Sequence, residues 1–478
     1  MKVKTSSISI FIFVFFCSNL TLAQNWQTLN GGTDWNVADL FADTVSGQLF
    51  ISGAFQHTGN IEANGVAVWD GSEFETFGTG VDNCITTCPV VVSVAMWQGD
   101  LFCSPTSYSM GGVLDPKGLM RWNGEMWNKV GGGLSFLSGN NGLVYDFLPQ
   151  DSSLILLGGF QLAGTDTVYN VARWNGEQLT SLGFPYANPE LGIIGKVQSG
   201  LIKDGTLYVG GNFQKELGIE NTIDFAWFFN GNWHQSDQNI KGGNDDIGKM
   251  ITYKGEIYVG GNFRVSSGNA GNAIMRFQDG IFVDVGGSFD SELANIRDMV
   301  VFDGKLFVFG LFNSVGGGIP AQNIASWDGE KWCGYGFDFD HLIRTAEVLG
   351  DRLYIGGPFD SINYQPYNHL AFWEGELEPT VCGNLVNTAP IEKRTKIRLN
   401  LFPNPTSSAL HIQLQHAQST QGKLQIENLS GQTLHTETLN LSPTLQSWQV
   451  DVADWPSGVY VVRLQAGSEQ VVRKFVVE

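Results

Sequence analysis

The side chains that could do chemistry in this chain are scattered. Seven histidines occur, His57, His234, His341, His369, His411, His416 and His435. None falls in a His-Glu-x-x-His pair, which would put two imidazoles on one helix face to hold zinc beside a carboxylate base. No Gly-x-Ser-x-Gly elbow raises a serine nucleophile. Carboxylates stand close together at Asp245-Asp246 and at Asp338 and Asp340. Two carboxylates can divide acid and base work in a cleft that holds them ~5–9.5 Å apart, but neighbours in one polar loop read more simply as solvated. Residue type and spacing assign no catalytic, cofactor-binding or metal residue.

The glycine pairs Gly210-Gly211, Gly260-Gly261 and Gly356-Gly357 resemble phosphate loops only superficially. No Lys-Ser/Thr follows them and no helix pattern opens after them. They end an apolar heptad that recurs along the chain. LYVGGNF (Leu207–Phe213) returns as IYVGGNF (Ile257–Phe263) and LYIGGPF (Leu353–Phe359). Looser copies are LFISGAF (Leu49–Phe55), LILLGGF (Leu154–Phe160), LFVFGLF (Leu306–Phe312) and LFCSPTS (Leu101–Ser107). The starts at 49, 101, 154, 207, 257, 306 and 353 give steps of 52, 53, 53, 50, 49 and 47. A strand-based period near ~50 residues means a propeller, an array or a solenoid.

Each unit divides into four strands. In the fifth they are Ile247–Lys254, Glu256–Phe263, Ala273–Phe277 and Ile281–Val285. The last two are joined by Gln278-Asp279-Gly280, and the same turn recurs as Trp69-Asp70-Gly71, Trp122-Asn123-Gly124, Trp174-Asn175-Gly176, Trp327-Asp328-Gly329 and Trp373-Glu374-Gly375. Asp-Gly and Asn-Gly between apolar runs predict type I′ hairpins. The spacing does not match a calcium loop. The recurring tryptophans, in register with core residues, are expected to pack between units. Sixty glycines and 46 Trp plus Phe fit a turn-rich all-β chain.

Seven such units predict a seven-bladed β-propeller over 24–380, with an eight-bladed or open array as the alternative. Asn25–Gly32 matches the end of a unit before the first unit has begun, while Pro379 interrupts the last strand of the final unit. The segment around Trp26 is therefore expected to complete the last blade and cover its open edge. The units resemble kelch repeats in their glycine pair and in the aromatic-turn-aromatic elements Trp122–Trp127 and Trp327–Trp332. Trp-Asp/Asn-Gly stands where kelch has Tyr-Asp-Pro. The resemblance implies a fold and leaves function open. The units also look like the repeats of many secreted Bacteroidetes proteins.

Met1–Ala23 reads as a secretory signal: Lys2 and Lys4, an apolar core at Ile8–Phe16, and cleavage between Ala23 and Gln24. The apolar run is shorter than the ~20 residues that span a bilayer, and no transmembrane segment follows it. Five cysteines remain after cleavage, and an oxidising compartment favours pairing. Cys103 sits at an inward strand position as a small apolar residue. That leaves Cys84 with Cys88 and Cys333 with Cys382. The rival metal reading has no histidine nearby and no zinc spacing.

The net charge of −20 is uneven: 1–23 carries +2 and 390–478 carries 8 − 7 = +1, so the middle carries −20 − 2 − 1 = −23. Such a surface excludes nucleic acid as a partner and favours solubility. Beyond 380 the composition changes. Residues 381–398 read as a linker and 399–478 as short alternating strands of a small antiparallel β-sandwich. Its landmarks are Leu401-Phe402-Pro403-Asn404-Pro405, Leu429-Ser430-Gly431-Gln432, Pro456-Ser457-Gly458-Val459-Tyr460 and a terminus carrying Lys474. Together they resemble the type A C-terminal sorting domain of the Bacteroidetes type IX secretion system. The resemblance implies passage through the periplasm and outer membrane by that machinery, removal of the domain, and release or attachment at the surface. The marked residues are Pro403, Asn404, Pro405, Gly431, Gly458, Tyr460 and Lys474.

The functional expectation is a secreted or surface-displayed, non-enzymatic binding propeller without a cofactor. It would meet a protein or glycan through loops such as Gln56–Gly65, Gln161–Asn170 and Arg264–Asn272. The alternative is a hydrolase or lyase acting on extracellular polysaccharide; a structural spacer is a third reading.

Overall fold

Short apolar runs separated by glycine turns have no stable alternative to pairing edge to edge, and the computed structural model of the chain is all-β. It describes residues 26–82, 84, 88–185, 195–213, 224–236, 240, 246–291, 293–383, 397–402, 405–416, 420–428, 432–442, 446–467 and 469–477. The chain divides into two compact units, Met1–Leu385 and Val386–Glu478.

Among the described residues of the larger unit, seven sheets of four or five strands follow one another. Each is an antiparallel meander. The fifth runs Asp246–Tyr253, Glu256–Asn262, Ile274–Gln278 and Ile281–Val283, within two residues of the expected bounds. The first strands are Val37–Asp43, Val91–Trp97, Leu143–Gln150, Lys196–Lys203, Asp246–Tyr253, Asn295–Phe302 and Thr345–Leu349. Each packs against the first strand of the next sheet, and Thr345–Leu349 packs against Val37–Asp43, so the sheets stand in a ring.

The glycine pairs make this packing possible. A Cβ on Gly210 would lie 2.7 Å from Ile247 of the next sheet, one on Gly260 2.7 Å from Ile296, and one on Gly356 2.6 Å from Val37. The close approach is to the neighbouring sheet's first apolar residue, and only glycine leaves room for it. Four of the unit tryptophans bury as expected, Trp69, Trp174, Trp327 and Trp373 being 4–6 % exposed, while Trp122 is half-buried. The tryptophan that follows the turn adds a bond to the preceding sheet. Nε1 of Trp127, Trp233 and Trp332 donates to the carbonyls of Phe77, Leu182 and Val285, each at 2.8 Å.

The type I′ expectation holds for Asp279-Gly280, where both residues have positive φ (51° and 86°). It fails for the Trp-Asp/Asn-Gly turns. At Asp70, Asn123, Asn175 and Asp328 only the following glycine has positive φ. There the side-chain Oδ1 accepts from the backbone amides two and three residues on, as in Asp70 with Ser72 and Glu73. This side-chain turn replaces the backbone mirror turn.

The last sheet is completed from the N-terminus. Gln27–Thr28 pairs with Leu370–Glu374. Trp26 is 4 % exposed and packs edge-on against Trp373 at 5.6 Å, Phe337 at 5.7 Å and Phe339 at 6.2 Å. The Tyr367 hydroxyl donates to the Trp26 carbonyl at 2.8 Å. The chain then leaves through the sixth sheet. Val381–Cys382 is its fifth strand, beside Trp332–Gly334, and Cys333 and Cys382 are bonded across the pair. Val381 and Cys382 are thus strand and not linker, because the edge of Trp332–Gly334 is free to pair with them.

The second unit holds two sheets. One orders Ile397–Phe402, Ala409–His416 and Gln446–Asp451; the other orders Thr433–Leu441, Thr420–Asn428, Gly458–Ala466 and Glu469–Val477. Their shared core includes Leu410, Ile412, Leu424, Ile426, Val462, Leu464 and Phe475. Ile397 and Arg398, expected in the linker, already belong to a strand. Ile397–Phe402 went unrecognised because its start was assigned to the basic linker and its end to the Leu401–Pro405 landmark, and Thr433–Leu441 because polar residues interrupt its alternation.

If Trp26 closes the ring, Trp26→Ala should destabilise the larger unit by about 3–5 kcal/mol, the usual cost of emptying a buried tryptophan site. Trp35→Ala, at a 53 % exposed position, should change it by about 0.5 kcal/mol or less. Urea unfolding of the two variants measures both; equal effects would show that the N-terminal strand is not structural.

Candidate functional site

Each first strand repeats one short pattern: an apolar residue, any residue, then a polar one. The seven instances are Val37-Ala-Asp39, Val91-Val-Ser93, Val144-Tyr-Asp146, Val197-Gln-Ser199, Ile247-Gly-Lys249, Ile296-Arg-Asp298 and Ile343-Arg-Thr345. In the first six sheets the register slips here, a β-bulge that re-aims the side chain that follows.

The re-aimed side chains reach across to the next sheet. Asp39 Oδ2 accepts from the Val94 amide at 3.0 Å, and Asp146 Oδ2 from Gly200 at 2.9 Å. Ser199 Oγ accepts from Met250 at 2.9 Å, and Asp298 Oδ2 from Ala346 at 2.9 Å. Thr345 Oγ1 accepts from Leu40 at 3.2 Å, which returns the chain of bonds to the first sheet. Ser93 departs from the pattern and donates instead to the Val144 carbonyl at 2.8 Å. Lys249 has no lone pair to offer. Its Nζ lies 3.0 Å from Asp298 Oδ1, which itself accepts from the Met299 amide at 2.8 Å.

Asp39, Asp146, Lys249, Asp298 and Thr345 border a cavity of 360 Å³ lined also by Gln198, Gly248, Arg297, His341 and Arg344. Their side chains keep some accessible surface because they face this cavity, yet protein surrounds them. Burial pushes Asp39 up to about 7, with Lys249 and the Val94 amide working against it. Burial likewise takes Asp146 to about 6 and Glu347 to about 7. Burial disfavours the Lys249 ammonium, but Asp298, Asp146, Glu347 and Asp39 outweigh it and hold the amine charged above its ordinary range. Lys249 thus stands where a bound cation would serve four carboxylates. Among the described residues, no three histidine, cysteine or acidic side chains are grouped to hold a metal ion.

Two residues further along, on the same side of each strand, the sequence is Phe41, Ala95, Leu148, Leu201, Ile251, Val300 and Glu347. This layer is apolar except for Glu347. Its carboxylate accepts from the adjacent Val348 amide at 2.9 Å.

The site was missed in the sequence because the recurrent position holds Asp, Ser, Lys or Thr. The geometry is shared, while the residue type is not. The signal was the register: a polar residue two places after the first apolar residue in all seven units.

The residues singled out beforehand lie elsewhere, with one exception. His341 lines the cavity. His57 Nδ1 sits 2.8 Å from Asp34 Oδ2, and His369 Nε2 3.3 Å from Asp360 Oδ1. Asp340 accepts from the Asp360 amide and the Ser361 hydroxyl, so it braces a loop. Asp245 lies outside the described residues. Gln56–Gly65, Gln161–Asn170 and Arg264–Asn272 follow second strands whose ends pair with the starts of the first strands, which puts these loops at the same sheet edge as the cavity.

Cys84 and Cys88 are joined, as are Cys333 and Cys382. Cys103 is a buried free thiol whose pKa burial pushes up. Of the sorting-motif residues, Tyr460 donates to the Pro456 carbonyl at 2.6 Å and stacks on Phe475 at 5.6 Å. Gly458 opens its strand, Lys474 is exposed on the partner strand, and Pro405 precedes the buried Thr406. Pro403, Asn404 and Gly431 lie outside the described residues, as do Ala23 and Gln24.

The raised carboxylates set a pH dependence. Between about pH 4 and 7 the folded chain binds protons at Asp39, Asp146 and Glu347 more tightly than the unfolded chain. Their contribution to stability is therefore fully present below about pH 4 and is lost as pH rises to about 7. Asp34 and Asp70, which are shifted down, act only below that window. The melting temperature of the larger unit should fall from pH 5 to pH 8, and Asp39→Asn or Glu347→Gln should flatten the slope. Thermal scans across that range check this, and a melting temperature that climbs with pH would contradict it.

No curated protein matches the chain in sequence. Among solved structures, the Niastella koreensis GH74 enzyme is similar over 94% of this chain and 74% of that one, at 10% identity and a TM-score of 0.44. Dimeric latent PorU from Porphyromonas gingivalis is similar over 58% of this chain and 32% of that one, at 10% identity and a TM-score of 0.17. No helix of the described residues is long and apolar enough to cross a membrane. Residues 400–478 match the secretion system C-terminal sorting domain, so the C-terminal unit carries a type IX export address.

Proposed function

We propose that residues 24–380 form a seven-bladed, kelch-like β-propeller that works outside the cell as a non-enzymatic binding module. Met1–Ala23 is its signal peptide, removed before Gln24. Type IX secretion then carries the chain across the outer membrane by its C-terminal domain. The mature protein is released or held at the cell surface. The two cysteine pairs fit an oxidising route.

The observation that carries the binding reading is the commitment of the cavity carboxylates. Asp39, Asp146 and Asp298 each accept a backbone amide of the next sheet, and Lys249 lies among them. A general acid must present its proton to a substrate in hydrogen-bond reach. Here the oxygens that would do so hold the sheets together. The cavity and the loops beside it supply a recess and a rim, the usual requirements of a ligand site.

A second reading, a polysaccharide hydrolase or lyase, draws on Asp39 and Glu347. Both are pushed up to about 7, where a carboxyl can act as an acid at neutral pH. Glu347 bonds only its neighbour's amide and is the better candidate. Release of reducing ends from an extracellular polysaccharide, abolished in Glu347→Gln, would replace the binding reading with this one.

Export is tested in the native host by the mass and location of the mature protein. A form that begins at Gln24, lacks 400–478 and is found outside the cell is expected. Deletion of 400–478 should leave the protein in the periplasm. A full-length form in the periplasm of the unmodified strain would overturn the sorting reading.

A further inference from the structure

The cavity contains cations that no group in the protein pairs with. Arg297 and Arg344 occupy the same place in the sixth and seventh sheets, one residue before the side chain that bonds the next sheet, and both line the cavity. Among the described residues neither guanidinium makes an ion pair or a hydrogen bond. Burial and then the charge of Arg297 depress Arg344, with Asp39 pulling the other way. In a chain of net charge −20, an unpaired basic couple at the centre runs against the overall field. A third donor stands beside them: Gln198 lines the same cavity, and its Nε2 is buried without a hydrogen-bond partner. Gln198 Nε2 is thus a buried donor that calls for an acceptor the protein does not supply, while both arginines are exposed to the space they line.

We propose that this cavity is a subsite for a sugar acid, with Arg297 and Arg344 holding its carboxylate and Gln198 donating a further hydrogen bond. Two guanidinium forks match a planar carboxylate. The walls argue against a simple inorganic anion or an acidic peptide, because Asp39, Asp146 and Asp298 would repel either one. A sugar acid brings one negative charge and several hydroxyls. The charge goes to the arginines, while the hydroxyls donate to the oxygens of Asp39, Asp146 and Thr345. A volume of 360 Å³ is at the lower end of the ~300–1,000 Å³ of ligand pockets and suits one monosaccharide unit better than a chain.

The charged and titratable groups facing the cavity are Lys249, Arg297, Arg344, His341, Asp39, Asp146 and Asp298, and Glu347 acts on Lys249 from outside the lining. As Asp39 takes up a proton, a negative charge leaves the wall, and Glu347, two residues beyond Thr345, loses another outside it, so the arginines act less opposed. Affinity for the sugar acid should therefore rise as pH falls from 8 to 6.

The inference rests on the binding reading, and the test separates the two. The full chain is titrated calorimetrically with D-glucuronate, D-glucose, sulfate and oligoglutamate. Glucuronate should bind at least ~10-fold more tightly than the other three, and Arg297→Gln and Arg344→Gln should each weaken it by ~10-fold or more, as loss of a charge-paired contact does. Their melting temperatures should not change, since neither guanidinium bonds to the protein. Tighter binding of glucose, sulfate or oligoglutamate than of glucuronate would overturn the inference, as would glucuronate binding that ignores Arg344→Gln. Binding of neutral glycans on an array, unchanged in Arg344→Gln, would also overturn it while leaving the binding module in place. Cleavage of a uronate polymer, with Arg344→Gln weakening its capture, would keep the subsite and remove the non-enzymatic reading.

Discussion

The structure depends on a hydrogen bond passed from sheet to sheet around its centre. A sheet of four strands has two apolar faces and two open edges. Packing neighbours face to face satisfies the faces but does not fix their angle or distance near the axis, where the strands crowd together. The polar side chain near the start of the first strand, set by a bulge in the first six sheets, answers this in five of the seven by accepting the next sheet's backbone amide. The bond is directional, so it sets the spacing that apolar contact leaves loose. The glycines opposite let the approach happen, since a methyl at Gly210, Gly260 or Gly356 would strike the neighbouring strand.

Where the bond cannot form, an ion pair replaces it. Lys249 occupies a position that elsewhere carries an acceptor, and its partner Asp298 covers the Met299 amide as well as Ala346. Three acids that serve the sheets, plus Glu347, then surround one ammonium. The price of holding these charges in the protein interior appears as raised carboxyl pKa values, a strain offset by Lys249 itself. The polar centre is thus architectural first, and its unpaired arginines are what the architecture does not use.

Much of the architecture could be read from the chain. The heptads Leu207–Phe213, Ile257–Phe263 and Leu353–Phe359 mark the second strands because apolar, glycine and aromatic residues are each demanded by type there. The Trp26 segment was legible for the same reason, as a unit's end lying before any unit. The polar ring was not legible by type, since Asp39, Ser199 and Thr345 are equivalent only in what their oxygens accept. The turns at Asp70 and Asn123 misled because Asp-Gly is compatible with both a mirror turn and a side-chain turn. Loop length separates them: Asp279-Gly280 alone joins Gln278 directly to Ile281. Strands such as Thr433–Leu441 were hidden because only Leu439 and Leu441 at one end are buried, which leaves too short an alternation to read.

The strand pairing of Gln27–Thr28 with Leu370–Glu374 also imposes an order of events. The first structured residues to leave the ribosome are the last to find their place, because their partner lies more than three hundred residues downstream. Until then the seventh sheet lacks its outer strand, and the ring can still gape. Ring closure is therefore a clock: it can complete only after the whole repeat region has arrived in one compartment.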